Sequence, residues 1–292
     1  MPLPNFLLVG AAKSATRSLY NYMIQHPDVF MPKLKEPQFF VAAQVQNRIQ
    51  KWVDDETQYR ALFAGSEGKK AIGEASVMYL FFYREAVENI KKYLGNEIKI
   101  LMILRNPVER AYSAYNFVRV NNPEEKYSFE SALEKEDERF KSEVSLFMQY
   151  RKMGLYADAV KSYLESFKSV HIVWYDDFIK DVPGTIKSIF RFLSVNPDVN
   201  IDYNKRWNEG GWQWKNPVLR WLFMSDNPFK KAYKMFSKKK KGVRTNKFFR
   251  DNFAKKAEPM DSETRKNLIE YFRSDIEKLS IVTGRDLSSW LE

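Results

Sequence analysis

Residues Phe6 to Ser18 read FLLVGAAKSATRS. An apolar run, Phe6-Leu7-Leu8-Val9, stops at Gly10. Small residues follow, then Lys13, then Thr16, Arg17 and Ser18, where a helical pattern begins. That order reads as buried strand, anion loop, helix. Small residues let backbone N–H groups approach a ligand, and a helix N-terminus adds about half a positive charge. Lys13, Ser14, Thr16, Arg17 and Ser18 place donors at the same spot, and Ala15 keeps the turn small. A phosphate or sulfate is the ligand that calls for so many donors together. The spacing is not that of a Walker A loop, which needs Gly, four residues, then Gly-Lys-Ser/Thr; here Lys13 comes three residues after Gly10 and no glycine immediately precedes it. A plain strand–helix turn with a surface lysine is the competing reading.

The rest of the pattern extends this unit. Short apolar runs at Phe6–Gly10, Lys70–Glu74, Ile98–Leu104 and Val170–Tyr175 predict strands. Helical periodicity predicts helices over Thr16–Gln25, Phe82–Tyr93, Val108–Val120, Leu155–Phe167 and Pro183–Leu193. Pro107 and Pro183 stand near helix starts. Ser262 opens a further helical pattern through Arg265 and Leu268, which Gly284 ends. Strands alternating with helices predict an α/β fold: one domain, 1–292, with a central parallel sheet flanked by helices. Ligands of such sheets sit at the carboxyl ends of the strands, so the loops after Val9, Ile72 and Leu104 are expected to converge.

Composition narrows the chemistry. The 292 residues include 7 Trp, 16 Tyr and 22 Phe, too aromatic for a disordered chain. There are no cysteines and two histidines, His26 and His171, which leaves no thiolate chemistry and argues against a zinc site. The net charge of +11 is concentrated: residues 205–256 hold 16 Lys/Arg against 3 Asp/Glu, leaving 32 basic and 34 acidic residues elsewhere. That basic, aromatic-rich subregion implies an anionic partner. No apolar run reaches the ~20 residues that span a bilayer, and no basic n-region precedes the first apolar run. The expected location is the cytoplasm, with peripheral membrane association left open.

Two further constellations carry chemistry. In Leu104-Arg105-Asn106-Pro107-Val108-Glu109-Arg110-Ala111-Tyr112-Ser113, a buried strand ends at Arg105 and Ser113 lies about two helical turns further on. Arg105 can pair with a phosphate bidentately and Ser113 can add a hydroxyl. Taken alone, Arg105 fits a surface ion pair as well. In Lys35-Glu36-Pro37-Gln38-Phe39-Phe40, a carboxylate beside an aromatic pair is expected against an apolar wall, a setting that raises its pKa and suits a general base. The alternative is a loop glutamate paired with Lys33 or Lys35.

Taken in order, these segments resemble the sulfotransferases that use 3′-phosphoadenosine 5′-phosphosulfate (PAPS), and most closely the glycan-type and bacterial members. Gly10–Ser18 resembles the family's 5′-phosphosulfate loop, Leu104–Ser113 its 3′-phosphate motif and Lys35–Phe40 the segment holding the catalytic glutamate. Gly154-Leu155-Tyr156-Ala157, Tyr175-Asp176-Asp177-Phe178 and Met260–Trp290, with its Gly284-Arg285-Asp286-Leu287, resemble later family segments. The likeness covers most of the chain and is weakest over 41–69 and 205–256. It implies a P-loop-NTPase-like sulfotransferase fold, PAPS as co-substrate and no metal. It implies that Lys13 contacts the sulfonate and the bridging oxygen, that the Lys13–Ser18 loop holds the 5′-phosphate, that Arg105 and Ser113 grip the 3′-phosphate, and that Glu36 takes the acceptor's proton. Glycan-type members often carry a lysine directly after the glutamate of the second strand. Here Ala75 follows Glu74, so Glu74 and Ser76 are expected to line the acceptor side instead.

The expected acceptor is a small molecule, a glycan or a glycolipid; no nucleic-acid module is present. Two other functions stay open from the residues alone. One is a P-loop phosphotransferase with a strand-end carboxylate, Asp176 or Glu74, on Mg²⁺; sensitivity to a chelator separates it from sulfonyl transfer. The other is a non-enzymatic binder of anionic lipid or polyanion built on Lys238–Lys241. Within residues 217–241, aromatics interleave with lysines. This suits an amphipathic surface on anionic lipid, a channel for an acidic glycan, or core aromatics beneath a solvated lysine face.

Overall fold

A computed structural model of the chain describes residues 2–49, 51–142, 145–204, 211–216, 218, 220–221 and 252–292. Five strands form one sheet: β1 (Phe6–Leu8), β2 (Val29–Phe30), β3 (Ala71–Ala75), β4 (Lys99–Leu104) and β5 (Ser169–Trp174). Their order is β2-β3-β1-β4-β5, and every pairing is parallel. The four strands predicted from the sequence are present within a residue or two. β2 was not predicted, because two residues carry no periodicity. β1 is shorter than Phe6–Gly10, yet its backbone keeps pairing: Val9 N–H donates to Leu101 O (2.9 Å) and Ala11 N–H to Ile103 O (2.8 Å).

Side chains alternate across the sheet, as strand geometry requires. Phe6, Leu8, Leu101 and Ile103 pack on the face covered by the helices Thr16–Met23 and Val182–Phe192. Leu7, Val9, Ile100, Met102 and Leu104 pack on the opposite face, against Tyr83–Leu94, Pro107–Asn121, Ala157–Ser166 and Ser262–Thr283. Sheets covered on both faces need near-continuous apolar strands, which FLL and KILMIL supply. Gly73 on β3 is demanded by this packing, since a Cβ there would lie 2.4 Å from the Phe6 ring.

Helix ends follow their local chemistry. Asn106 caps Pro107–Asn121 by accepting from Val108 N–H (2.9 Å), with Pro107 in the first turn. Gly284 ends the last long helix in the left-handed conformation at φ 66°. That helix is capped by Asp261, one residue before the expected Ser262; its Oδ1 accepts from Glu263 N–H (3.0 Å) and Thr264 N–H (2.9 Å). A carboxylate accepts two such bonds more strongly than a serine hydroxyl.

The sheet order reverses direction at β1, which has β3 on one side and β4 on the other. A crevice opens at such a switch point, at the carboxyl ends of the strands. The loops after β1, β3 and β4 do converge there. Ser76 N–H donates to Leu8 O (3.0 Å), Leu80 N–H to Val9 O (2.9 Å), and Arg105 Nη1 to Lys13 O (3.4 Å).

Most of the basic subregion, including Lys238–Lys241 and nearly all of 217–241, lies outside the described residues. Its described flanks form a two-stranded antiparallel ribbon, β6 (Trp212–Trp214) with β7 (Ala254–Lys256). The ribbon docks on the far half of the Pro107 helix: Gln213 Nε2 donates to Asn116 Oδ1 (3.0 Å) and Trp214 Nε1 to Val120 O (3.4 Å). Trp212 and Trp214 pack with Val120 and Ala254, so these two aromatics are packing residues.

Candidate active site

The loop after β1 leaves the sheet at Ala11 and turns into the helix Thr16–Met23. Gly10 is required on the way, because a Cβ would fall 2.7 Å from Leu80 Cβ. Lys13 and Ala15 take left-handed backbone angles, φ 67° and 66°, unusual for residues with side chains. Such conformations cost about 1–3 kcal/mol each and gather at functional sites. Ala15 stands at the N-cap and has no side-chain acceptor to offer. The orphan N–H groups and the positive end of the helix are thus left facing the crevice. Thr16 is buried, Ser18 half-buried and Arg17 exposed, while the Ser14 hydroxyl is buried with no hydrogen-bond partner among the described residues.

Arg105 follows β4 directly, its guanidinium 4.6 Å from the Tyr175 ring centroid. Ser113 lies half-buried on the Pro107 helix, and Phe117, one turn beyond on the same face, is 45% exposed. Lys13 Nζ sits 3.9 Å from the Phe117 ring centroid, so the lysine reaches the Ser113 face of that helix. Burial lowers the Lys13 pKa to about 8; Arg105, Arg17 and Arg110 push the same way, and Glu36 opposes them. Three guanidinium groups and one carboxylate therefore bear on a single ammonium. Lys13, Arg17 and Arg105 stand together. Arg110, on the buried side of the same helix, was not singled out in the sequence. It is fully buried, donates to Tyr150 O and keeps Nε and Nη1 without partners among the described residues.

Glu36 is held at the rim by the end of β3, its N–H donating to Ala75 O (3.0 Å). Its side chain is 26% exposed, paired with Lys35 Nζ at 2.8 Å, and accepts from Gln38 Nε2 (3.1 Å). The apolar wall expected around Glu36 is not what its carboxylate meets, and full burial falls to Glu74 instead. Polar partners surround Glu36 because Lys35 and Gln38 both turn toward it. Glu74 is 1% exposed and Ser76 0%. Both were expected to line the acceptor side; the structure places them buried at and just beyond the end of β3. The Glu74 carboxylate accepts from Tyr79 OH (2.6 Å) and Ser76 Oγ (2.8 Å). Burial raises its pKa to about 7; these hydrogen bonds, and Lys35, pull it down, while Glu36 pushes it up.

Neither histidine is at this crevice. His26 is 2% exposed, with Nδ1 accepting from Asp28 N–H and Nε2 against Asn196 O. His171 stacks on Phe192 from β5. Beyond Tyr175, Arg285 pairs bidentately with Asp177 (2.7 and 2.9 Å), and Trp290 Nε1 donates to Asp176 Oδ2 (3.0 Å). These contacts pin the C-terminal segment beside Arg105. Lys255 pairs with Glu258 at 2.6 Å. Among the described residues no cluster of three or more His, Cys, Asp or Glu is placed to hold a metal ion.

Phe117 and Tyr175 were missed in the sequence. Phe117 was findable, four residues after Ser113 on a predicted helix. Tyr175 was marked as the end of a strand and the start of a family-like segment, with no role at the site.

A sulfotransferase-domain family model matches residues 3–281. The crystal structure of a sulfotransferase from Alicyclobacillus acidocaldarius matches the whole chain at 30% identity, covering 100% of both chains, with a TM-score of 0.76. The membrane-associated sulfotransferase kil1 of Dictyostelium discoideum is 34% identical over 46% of this chain and 28% of its own length. The human bifunctional heparan sulfate N-deacetylase/N-sulfotransferase 3 is 26% identical over 99% of this chain and 31% of its own. The chain thus spans less than a third of either of these two relatives.

Proposed function

The chain belongs to the sulfotransferase domain family, and from that premise we propose that it moves the sulfonyl group of PAPS to an acceptor hydroxyl and releases adenosine 3′,5′-bisphosphate. Its parallel sheet with helices on both faces is the P-loop-like fold of that family. We take residues 1–292 as one sulfotransferase domain.

The observation that carries the reading is the cation cluster at an uncapped helix N-terminus. Lys13, Arg17 and Arg105 gather at the switch point of the sheet, where an N-cap without an acceptor leaves N–H groups available. That donor set suits a nucleotide with phosphates at two positions. The donor supplies the sulfonyl group. Thr16, Arg17 and Ser18, with the backbone of Ser14 and Ala15, would hold its 5′-phosphate, and Arg105 with Ser113 its 3′-phosphate. Lys13 would hold the charge that grows on the departing bridge oxygen. Glu36, at the rim and reachable by solvent, would accept the proton of the attacking hydroxyl. The carboxylates that would serve a Mg²⁺-phosphotransferase are otherwise engaged, Asp176 by Trp290 and Glu74 by Ser76 and Tyr79.

A carbohydrate or glycolipid acceptor belongs to the same proposal, supported by the heparan sulfate in one relative's name. So does a cytoplasmic location with peripheral contact to an anionic membrane through 217–241, supported by the membrane association in another's. No described helix is long and apolar enough to cross a membrane.

The test is a melting experiment. Saturating adenosine 3′,5′-bisphosphate at 100 times its Kd adds about 2.7 kcal/mol, a shift of several degrees. ATP with Mg²⁺ should shift the melting temperature much less, and Arg105→Ala should abolish the difference. Equal shifts from both ligands would refute the assignment.

A further inference from the structure

We propose that Glu74 is a positioning residue for this reaction: through the hydroxyls of Ser76 and Tyr79, its buried carboxylate holds the backbone that presents Glu36. The proposal rests on Glu36 being the base.

The backbone that carries Glu36 is strained. Glu36 has φ 70° and Gln38 φ 56°, both left-handed without being glycine. Conformations of this kind persist only where the surroundings over-determine them. Four hydrogen bonds do so here. Glu36 N–H donates to Ala75 O (3.0 Å), and Pro37 O accepts from Val53 N–H (2.8 Å). Gln38 N–H donates to Ser76 Oγ (3.0 Å) and Phe40 N–H to Tyr79 OH (3.4 Å). The last two anchors are hydroxyls, and a hydroxyl has one hydrogen. Both direct that hydrogen to Glu74, Ser76 to Oε2 and Tyr79 to Oε1. An ionised carboxylate only accepts, so it turns both hydroxyl oxygens into acceptors facing the loop. Gln38, fixed in this way, then donates its Nε2 to Glu36 Oε2 (3.1 Å). The chain of bonds runs from a fully buried carboxylate to the oxygen that would take the proton.

Protonating Glu74 breaks the logic of the chain. A carboxylic acid must donate, so one of the two hydroxyls has to turn round and point its hydrogen at a loop N–H. The charged or titratable groups bearing on Glu74 are Glu36 and Lys35 from the loop, Tyr79 from its own side, and Tyr59 and Tyr163 from the helices packed over it. The three tyrosines are raised well above their usual range and stay neutral. Glu74, raised to about 7 by burial, therefore changes charge first among the groups shown to shift here. Glu74→Gln copies the protonated arrangement, since its amide also donates to one hydroxyl.

The experiment measures kcat and KM from pH 5.5 to 8.5 for the unmodified chain, Glu74→Gln, Ser76→Ala, the double variant and Glu36→Gln. The bisphosphate melting shift reports the nucleotide site. Glu74→Gln should lower kcat about tenfold or more at pH 8, leave the donor KM and the melting shift unchanged, and lose the step near pH 7. Ser76→Ala should lose activity similarly, and adding it to Glu74→Gln should cost little more, as for members of one chain. Wild-type kcat and pH profile in Glu74→Gln would overturn the proposal. So would a raised donor KM with a lost melting shift, the mark of general damage. If Glu74→Gln fails to fold, wild-type kcat in Ser76→Ala overturns it. Transfer by Glu36→Gln would remove the base and this proposal together; an inactive Glu36→Gln beside a normal Glu74→Gln would remove this proposal alone.

Discussion

Raising the pH from 7 to 9 probes the cation cluster through one proton. Lys13 has a pKa of about 8 because burial, then Arg105, Arg17 and Arg110, disfavour its charge more than Glu36 favours it. It is then roughly nine-tenths charged at pH 7 and roughly one-tenth at pH 9. A bound 5′-phosphate calls for the ammonium, so binding at high pH must first restore the proton. The affinity for adenosine 3′,5′-bisphosphate should fall about tenfold between pH 7 and 9, with uptake of about half a proton per nucleotide at pH 8. The phosphates themselves are almost fully ionised above pH 7, and arginines stay charged throughout, so neither imitates this loss. Calorimetry at pH 7, 8 and 9, in buffers of different ionisation enthalpy, reads both quantities. Lys13→Arg, which keeps its charge, should flatten the profile. An affinity unchanged from pH 7 to 9 with no proton uptake would refute the reasoning, as would the same tenfold loss in Lys13→Arg.

Two further outcomes follow from the same groups. On the proposed role of Lys13 at the departing bridge oxygen, Lys13→Ala should lower kcat about 10²-fold or more in a sulfonyl-transfer assay; a change of less than threefold would place that role elsewhere. Glu74 also makes stability depend on pH. Its folded pKa, about 7, lies above the ordinary glutamate value of 4.5, so the folded state holds the extra proton and this stabilisation fades as pH rises from about 4.5 through 7. Glu74→Gln should therefore gain in stability relative to the unmodified chain between pH 5 and pH 8, by up to about 3 kcal/mol read from denaturant unfolding, even as its kcat falls. A relative loss over that range would show that the buried charge is better compensated than the geometry implies.

The sheet was legible because its evidence is local. Apolar runs such as KILMIL need only their own residues to announce a buried parallel strand, and Asn106-Pro107 carries its own cap. The strand–loop–helix at Phe6–Ser18 was legible for the same reason: Lys13, Thr16 and Arg17 fall within one turn of a helix start. β2 was not, being two residues long, and Asp261 took the cap from Ser262 because the stronger acceptor was one position away.

The order of segments along the chain thus determined the layered fold and the strand end where anions would be met. Tertiary structure decided the charge state and environment of each group there. Lys13 owes its lowered pKa to burial and to Arg105 and Arg110, about ninety residues away in the chain. Of two glutamates at strand and loop ends, packing closed off Glu74 and left Glu36 at the rim with Lys35 and Gln38. Desolvation and Coulomb interaction depend on distance in space, and neighbours brought together by folding leave no periodic mark on the sequence.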